Sequence, residues 1–197
     1  SNRKPNEIKE IYTGKDAFEN LSYQPFVGLF NSPNQKLYCA EINDIGAQGN
    51  VKQMEKKQNV KRVMLVGGST AFGSGATSSK NNITSMLIEY LNSKKHQPAN
   101  AKIKWEVVNL SFIASQSSSE LNLINMYASL YSPDYIIQLS GFNDLHFYLN
   151  SEQLFTYTFS NEIKGFLYSS SLTKILDYLC RYFVIAKIIR KIIRKTV

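Results

Sequence analysis

The chain has 197 residues, 43% of them hydrophobic and 19% charged, which excludes a globally disordered chain and fits one sizeable domain with an extension. Lys and Arg number 23 against 15 Asp and Glu, a net charge of +8, but seven of the cations and a single anion fall between Lys174 and Val197. The remainder is close to neutral, so bulk charge does not argue for nucleic acid as a partner.

In chain order, the opening Ser1-Asn2-Arg3-Lys4-Pro5 has no apolar h-region and does not read as a signal peptide. A place in the bacterial cell envelope or periplasm would need a targeting segment outside this chain. Residues 1–60 read as an N-terminal extension that packs on the domain. They hold turn-rich stretches at Tyr23–Gly28 and Asn31–Asn34, a short strand over Lys36–Ile42, a turn at Asn43–Gly46 and a charged approach over 50–61. Cys39 and Cys180 show neither a disulfide framework nor a metal spacing. No stretch approaches the roughly 18 apolar residues of a membrane span.

The domain proper is read over 61–197. Val63-Met64-Leu65-Val66, ending in Gly67-Gly68, suits a strand buried on both faces. A helix is predicted from about Thr77 to Leu91, with Ile83, Met86, Leu87, Tyr90 and Leu91 on one face. Ile103–Asn109 reads as a second strand. A helix from about Ser118 to Leu130 follows, with Leu121, Ile124 and Tyr127 on one face. Asp134–Ser140 reads as a third strand and stops at Gly141-Phe142-Asn143-Asp144. Leu149–Val197 reads as helical. In its last turns Ile185, Ile188, Ile189, Ile192 and Ile193 share one face, and Lys187, Arg190, Lys191, Arg194 and Lys195 another. Such a helix either packs on the domain with its charges in water or contacts an anionic membrane.

Strands alternating with helices predict an α/β domain, a three-layer α/β/α arrangement with a parallel, flavodoxin-like sheet. No strand is evident after Asn143, so such a sheet would hold three of its usual five strands and be incomplete at the C-terminus. In these sheets the functional crevice lies beyond the carboxyl ends of the strands. Three polar clusters sit at three such ends: Gly67-Gly68-Ser69, Asn109–Ser117 and Gly141–Asp144.

Ser69 follows two glycines and precedes a helix, so it is placed either to act as a nucleophile with backbone N–H groups around it or to cap the turn. Asn143 is placed to donate its amide to a substrate oxygen or to close an Asx-turn. The middle loop offers backbone N–H groups at Ser111 and Ala114. A small-anion cradle at Gly67–Ser69 is the weaker alternative, because no Lys follows Gly73 or Gly75 as a P-loop requires.

Together the three loops resemble the SGNH (GDSL-type) hydrolase superfamily over roughly residues 62–146. Val-Met-Leu-Val-Gly-Gly-Ser69-Thr is similar to its first block, Val-Val-Asn109-Leu-Ser-Phe-Ile-Ala114 to its second and Gly141-Phe-Asn143-Asp144 to its third. Tyr23–Gly28 with Ile42–Gly46 is similar to the lead-in of bacterial members carrying Gly-Gly-Ser-Thr. The resemblance implies Ser69 as catalytic nucleophile, with Ala114 through its backbone N–H and Asn143 through its side chain as oxyanion donors. It implies hydrolysis of an acyl or acetyl ester, on carbohydrate or lipid, with no metal or organic cofactor.

Gly68 stands where the family usually has Asp, and Ala114 where it usually has Gly. The family's late Asp-x-x-His, which supplies the base, has no counterpart: Asp177–Cys180 has the spacing without the His. His96 is expected at the opposite edge of the sheet, and His146 near the rim at the start of a helix. The expectation is therefore that this chain is a fragment whose base lies outside it, with little esterase activity of its own. The rivals are a catalytically inactive binding module of the same fold and a membrane-surface or partner-binding protein acting through the basic helix.

Overall fold

The computed structural model describes residues 21–97 and 103–150, with side chains as far as residue 146. The expectations for residues 1–20, for Asp177–Cys180 and for the basic face at Lys187, Arg190, Lys191, Arg194 and Lys195 lie outside the described residues.

Two hairpins lead in. Strands β1 (Leu21–Gln24) and β2 (Gly28–Asn31) pair antiparallel around the Pro25-Phe26-Val27 turn. The single strand expected over Lys36–Ile42 is instead a tight hairpin of β3 (Gln35–Lys36) and β4 (Glu41–Ile42). The Leu37 N–H donates to the Ala40 carbonyl at 2.8 Å and folds the run back on itself. Reversal lets Ala40 and Ile42 bury with Leu37 and Cys39 against Phe72, which an extended run could not do. The turn expected at Asn43–Gly46 is present. The Asn43 Oδ1 accepts from the Ile45 and Ala47 N–H groups at 3.1 and 2.9 Å.

The main sheet has four strands among the described residues: β5 (Gln48–Gly49), β6 (Val60–Gly67), β7 (Lys104–Asn109) and β8 (Tyr135–Leu139). Their order is β5-β7-β6-β8, with β6 parallel to both neighbours and β5 antiparallel to β7. The protein is thus mixed α/β with a mixed sheet, and β5 corrects the all-parallel expectation. A two-residue strand leaves no periodic signature. Its position depends on Gly49, at φ +129°, where a Cβ would run into the Val107 carbonyl.

The α-helices among the described residues are α1 (Ser69–Phe72), α2 (Ile83–Asn92), α3 (Ser117–Tyr131) and α4 (Phe142–Asn150). Met64, Val66, Val108 and Leu110 form one core with Leu123 of α3 and with Val27 and Phe30 of the first hairpin. Asn109, of opposite side-chain parity on β7, meets Thr84 of α2 at 2.7 Å.

On both long helices part of the expected apolar face is exposed, although Ile124 and Tyr127 of α3 pack on the core as expected. On α2, Met86 and Tyr90 are 59% and 56% exposed, whereas Thr84 is buried. On α3, Leu121 is 56% exposed, whereas Glu120 and Leu123 are fully buried. In each case a polar residue faces inward because another element supplies its partner. Thr84 Oγ1 donates to Gln48 Oε1 at 3.3 Å and accepts from Asn109. Asn82 Nδ2 also donates to Gln48 Oε1, at 2.9 Å. The start of α2 lies later than expected, after a 3-10 turn at Ser79–Asn81, and Asn82 caps it by accepting from the Ser85 N–H at 2.9 Å.

Candidate functional site

The carboxyl ends of β6 and β8 are adjacent, and both change direction at glycine. Gly67 sits so close to β8 that a Cβ there would lie 2.5 Å from the Leu139 carbonyl oxygen. The chain then turns directly into α1, whose first residue is Ser69, half-buried. Asn109 steadies this turn from β7, its Nδ2 donating to the Ala71 carbonyl at 2.8 Å. The helix that follows Ser69 is a single turn ending at Gly73, with φ +97°. It is too short to contribute much of a helix dipole at the serine.

On the other side of the crevice, β8 ends in Gly141, at φ +104°, and Asn143 lies in the first turn of α4. Asn143 Nδ2 donates to the Ser115 carbonyl at 2.7 Å. It also abuts the first loop: a Cβ built on Gly68 would stand 2.5 Å from that nitrogen. The glycine at 68 is what makes room for the Asn143 amide beside Ser69. Ser69 and Asn143 line one open cavity of about 240 Å³, together with Gly68, Thr70, Gly141 and Phe142.

Ala114, the third expected site residue, does not line that cavity. It adopts φ +60°, the left-handed region that favours glycine and costs a residue with a Cβ about 1–2 kcal/mol. Ser115 N–H closes this loop onto the Phe112 carbonyl at 3.3 Å. The Ser111 N–H, offered by the sequence as a second donor, is engaged with Asn109 Oδ1 at 2.8 Å.

Two carboxylates that the sequence reading left without a role tie the second and third loops together. Asp144 accepts from the Ser117 N–H at 3.0 Å and from Ser117 Oγ at 2.9 Å, so it caps α3 from another element. Glu120 accepts from Ser115 Oγ at 3.2 Å and Gln138 Nε2 at 2.9 Å. Burial pushes the Glu120 carboxyl above its ordinary range, against the pull of its hydrogen-bond donors. No local signal in the sequence marks Glu120, because its partners Ser115 and Gln138 lie outside its helix.

Neither histidine lines the cavity. His96 follows α2 at the far end of its crossover, stacked on Tyr90 with ring centroids 3.8 Å apart and bonded through Nδ1 to Ser93 Oγ. His146 lies one turn along α4 from Phe142, exposed, with ring centroids 6.3 Å apart. Comparison with protein-family models gives no match, and comparison with curated proteins gives none.

Proposed function

We propose that this chain carries a serine ester-hydrolase site of the SGNH (GDSL) type, in a three-layer domain with a flavodoxin-like parallel sheet. The order β7-β6-β8 supports the fold reading, because a flavodoxin-like sheet begins 2-1-3. The observation that carries the functional reading is the meeting of Ser69 and the Asn143 amide in one cavity, with Gly68 clearing the space between them.

In this reading Ser69 Oγ attacks the ester carbonyl carbon and gives up its proton to a base. The carbonyl oxygen becomes an oxyanion, held by the backbone N–H groups of Ser69 and Ala114 and by the second N–H of Asn143, the first being engaged with Ser115. The C–O bond to the alcohol breaks, the alcohol leaves with a proton, and water then frees the acyl group from Ser69. The substrate is an acyl or acetyl ester, on carbohydrate or lipid. Among the described residues none that lines the cavity supplies the base, and the Ala114 N–H also lies outside that lining.

That gap favours a second reading, a binding module of the same fold without turnover. Imidazole added to the solvent separates the two, since it can take the place of a histidine base. Hydrolysis of p-nitrophenyl acetate by the protein should exceed that by its Ser69→Ala variant, by an increment that grows with imidazole concentration. Identical rates for the two proteins at every imidazole concentration would reject the hydrolase and leave the binding module.

A further inference from the structure

The buried carboxylate of Glu120 takes no part in the chemistry just described, yet it sits where the two loops of the crevice meet. Glu120 is fully buried in the first turn of α3. Its Oε1 accepts from Ser115 Oγ at 3.2 Å, and its Oε2 accepts from Gln138 Nε2 at 2.9 Å. Ser115 is the residue whose carbonyl receives the Asn143 amide, and Gln138 belongs to the end of β8, the strand that leads to Asn143. The carboxylate therefore holds both the anchor of the Asn143 side chain and the backbone that delivers it.

We propose that Glu120 is a positioning residue, a carboxylate clamp that fixes Ser115 and the end of β8 so that the Asn143 amide keeps its direction beside Ser69. The statement that this direction serves an ester carbonyl rests on the hydrolase reading, whereas the clamp itself does not.

An ionised carboxylate accepts only, and its partners here are the Ser115 hydroxyl and the Gln138 amide N–H, both able to donate. Protonation turns one acceptor into a donor. The Gln138 amide nitrogen cannot accept, so the proton faces Ser115 Oγ, which then accepts where it had donated, and both bonds lose the charge that strengthened them. The ionisable group facing Glu120 is Asp144 of α4, whose charge acts in the same direction as burial. The clamp should therefore loosen at a pH above the ordinary range of a glutamate.

The test follows the Asn143 side-chain amide by nitrogen-15 NMR from about pH 4 to about pH 8. Its resonances should titrate in the unaltered protein, with a midpoint above the usual glutamate value. Glu120→Gln should remove that titration, and Asp144→Asn should keep it with a lower midpoint. A purely structural role for Glu120 would leave the Asn143 amide insensitive to pH. A flat response in the unaltered protein overturns the clamp without any variant, so a Glu120→Gln protein that fails to fold does not rescue it. The same titration in Glu120→Gln as in the unaltered protein overturns it too.

The imidazole-assisted assay adds a second readout. Where turnover depends on Ser69, Glu120→Gln should lower kcat about 10- to 100-fold with KM little changed. If no turnover depends on Ser69 while the amide still titrates as expected, the hydrolase reading fails and the clamp stands.

Discussion

At the amino-terminal end of the parallel strands, acid meets base. Asp134 accepts from Lys56 Nζ, Lys61 Nζ and the Arg62 N–H at 2.9, 2.9 and 2.8 Å. The Arg62 guanidinium, buried in the sheet, pairs with Glu106 at 2.8 Å and donates to the carbonyls of Gln53, Met54 and Tyr131. At the carboxyl end, Glu120 and Asp144 meet hydroxyls, amides and a backbone N–H. Burial raises the pKa of both Asp134 and Glu120. The Arg62 N–H and the two lysines outweigh it at Asp134 and hold that carboxyl well below the usual range, while neutral donors fail to do so at Glu120. One end of the sheet is fixed by matched charge, and the other keeps a carboxylate, Glu120, whose protonation state can change what it holds.

The sharpest way to break this contrast is to damage each end in turn. Arg62→Ala takes from buried Glu106 the closer of its two cations, leaving Lys104 at 3.4 Å, and removes the donor to three carbonyls. It should cost about 3–5 kcal/mol of unfolding free energy in a denaturant titration. In whatever fraction stays folded, the Asn143 amide resonance should be unmoved. Gly68→Ala should do the reverse, because the new Cβ occupies the place of Asn143 Nδ2. Ser69-dependent turnover should fall about 10²- to 10³-fold, the loss expected for one oxyanion donor. Stability should change by no more than about 1 kcal/mol. A Gly68→Ala protein with full turnover would mean that the Asn143 amide has no role in it.

The same contrast explains what the sequence made legible. Strands β6, β7 and β8 and helix α3 announce themselves, because unbroken apolar runs bounded by glycine and long periodic stretches are local signals. The expected site residues Ser69 and Asn143 stand out through placement at strand ends, and the structure brings both to one cavity. What stays hidden is what another segment must complete. Nothing near Leu121 marks Glu120 as the buried residue, since its partners Gln138 and Ser115 lie in other elements. Thr84 likewise faces inward because Gln48 and Asn109 await it. Gln48–Gly49 becomes a strand only because Val108 and Asn109 offer an edge. The glycine at 68 looks like a departure from a motif until the Asn143 amide is seen against it.

The charged end also predicts its own pH dependence. Asp134→Asn should lower stability at neutral pH by about 1–2 kcal/mol, through the loss of two ion pairs and a charge-assisted hydrogen bond. The folded pKa of Asp134 lies below its unfolded value, so this contribution is complete above the unfolded pKa and is lost as pH falls below about 4. The gap between the two proteins should therefore close in acid. Glu120 acts with the opposite sign. Its folded pKa is raised, so the native state gains relative to the unfolded one as pH falls through the folded value. Urea titrations over the acidic range should show the Asp134 gap closing in step with acidification, and a gap that persists would mean that the loss does not come from the carboxylate's charge.

The smallest expected effect sharpens the carboxyl end. Ala114 holds φ +60°, and its Cβ contributes to none of the buried clusters. Ala114→Gly should relieve the left-handed backbone at the cost of a more flexible unfolded chain. The net gain should be about 0.5–1 kcal/mol, read as a rise in Tm. Turnover that depends on Ser69 should survive, because the donor proposed at this position is a backbone N–H and glycine supplies the same group. A loss of stability would mean that the Ala114 methyl packs on something that holds the middle loop. The cavity end would then depend on apolar contact as well as on the hydrogen bonds of Ser115, Ser117 and Glu120.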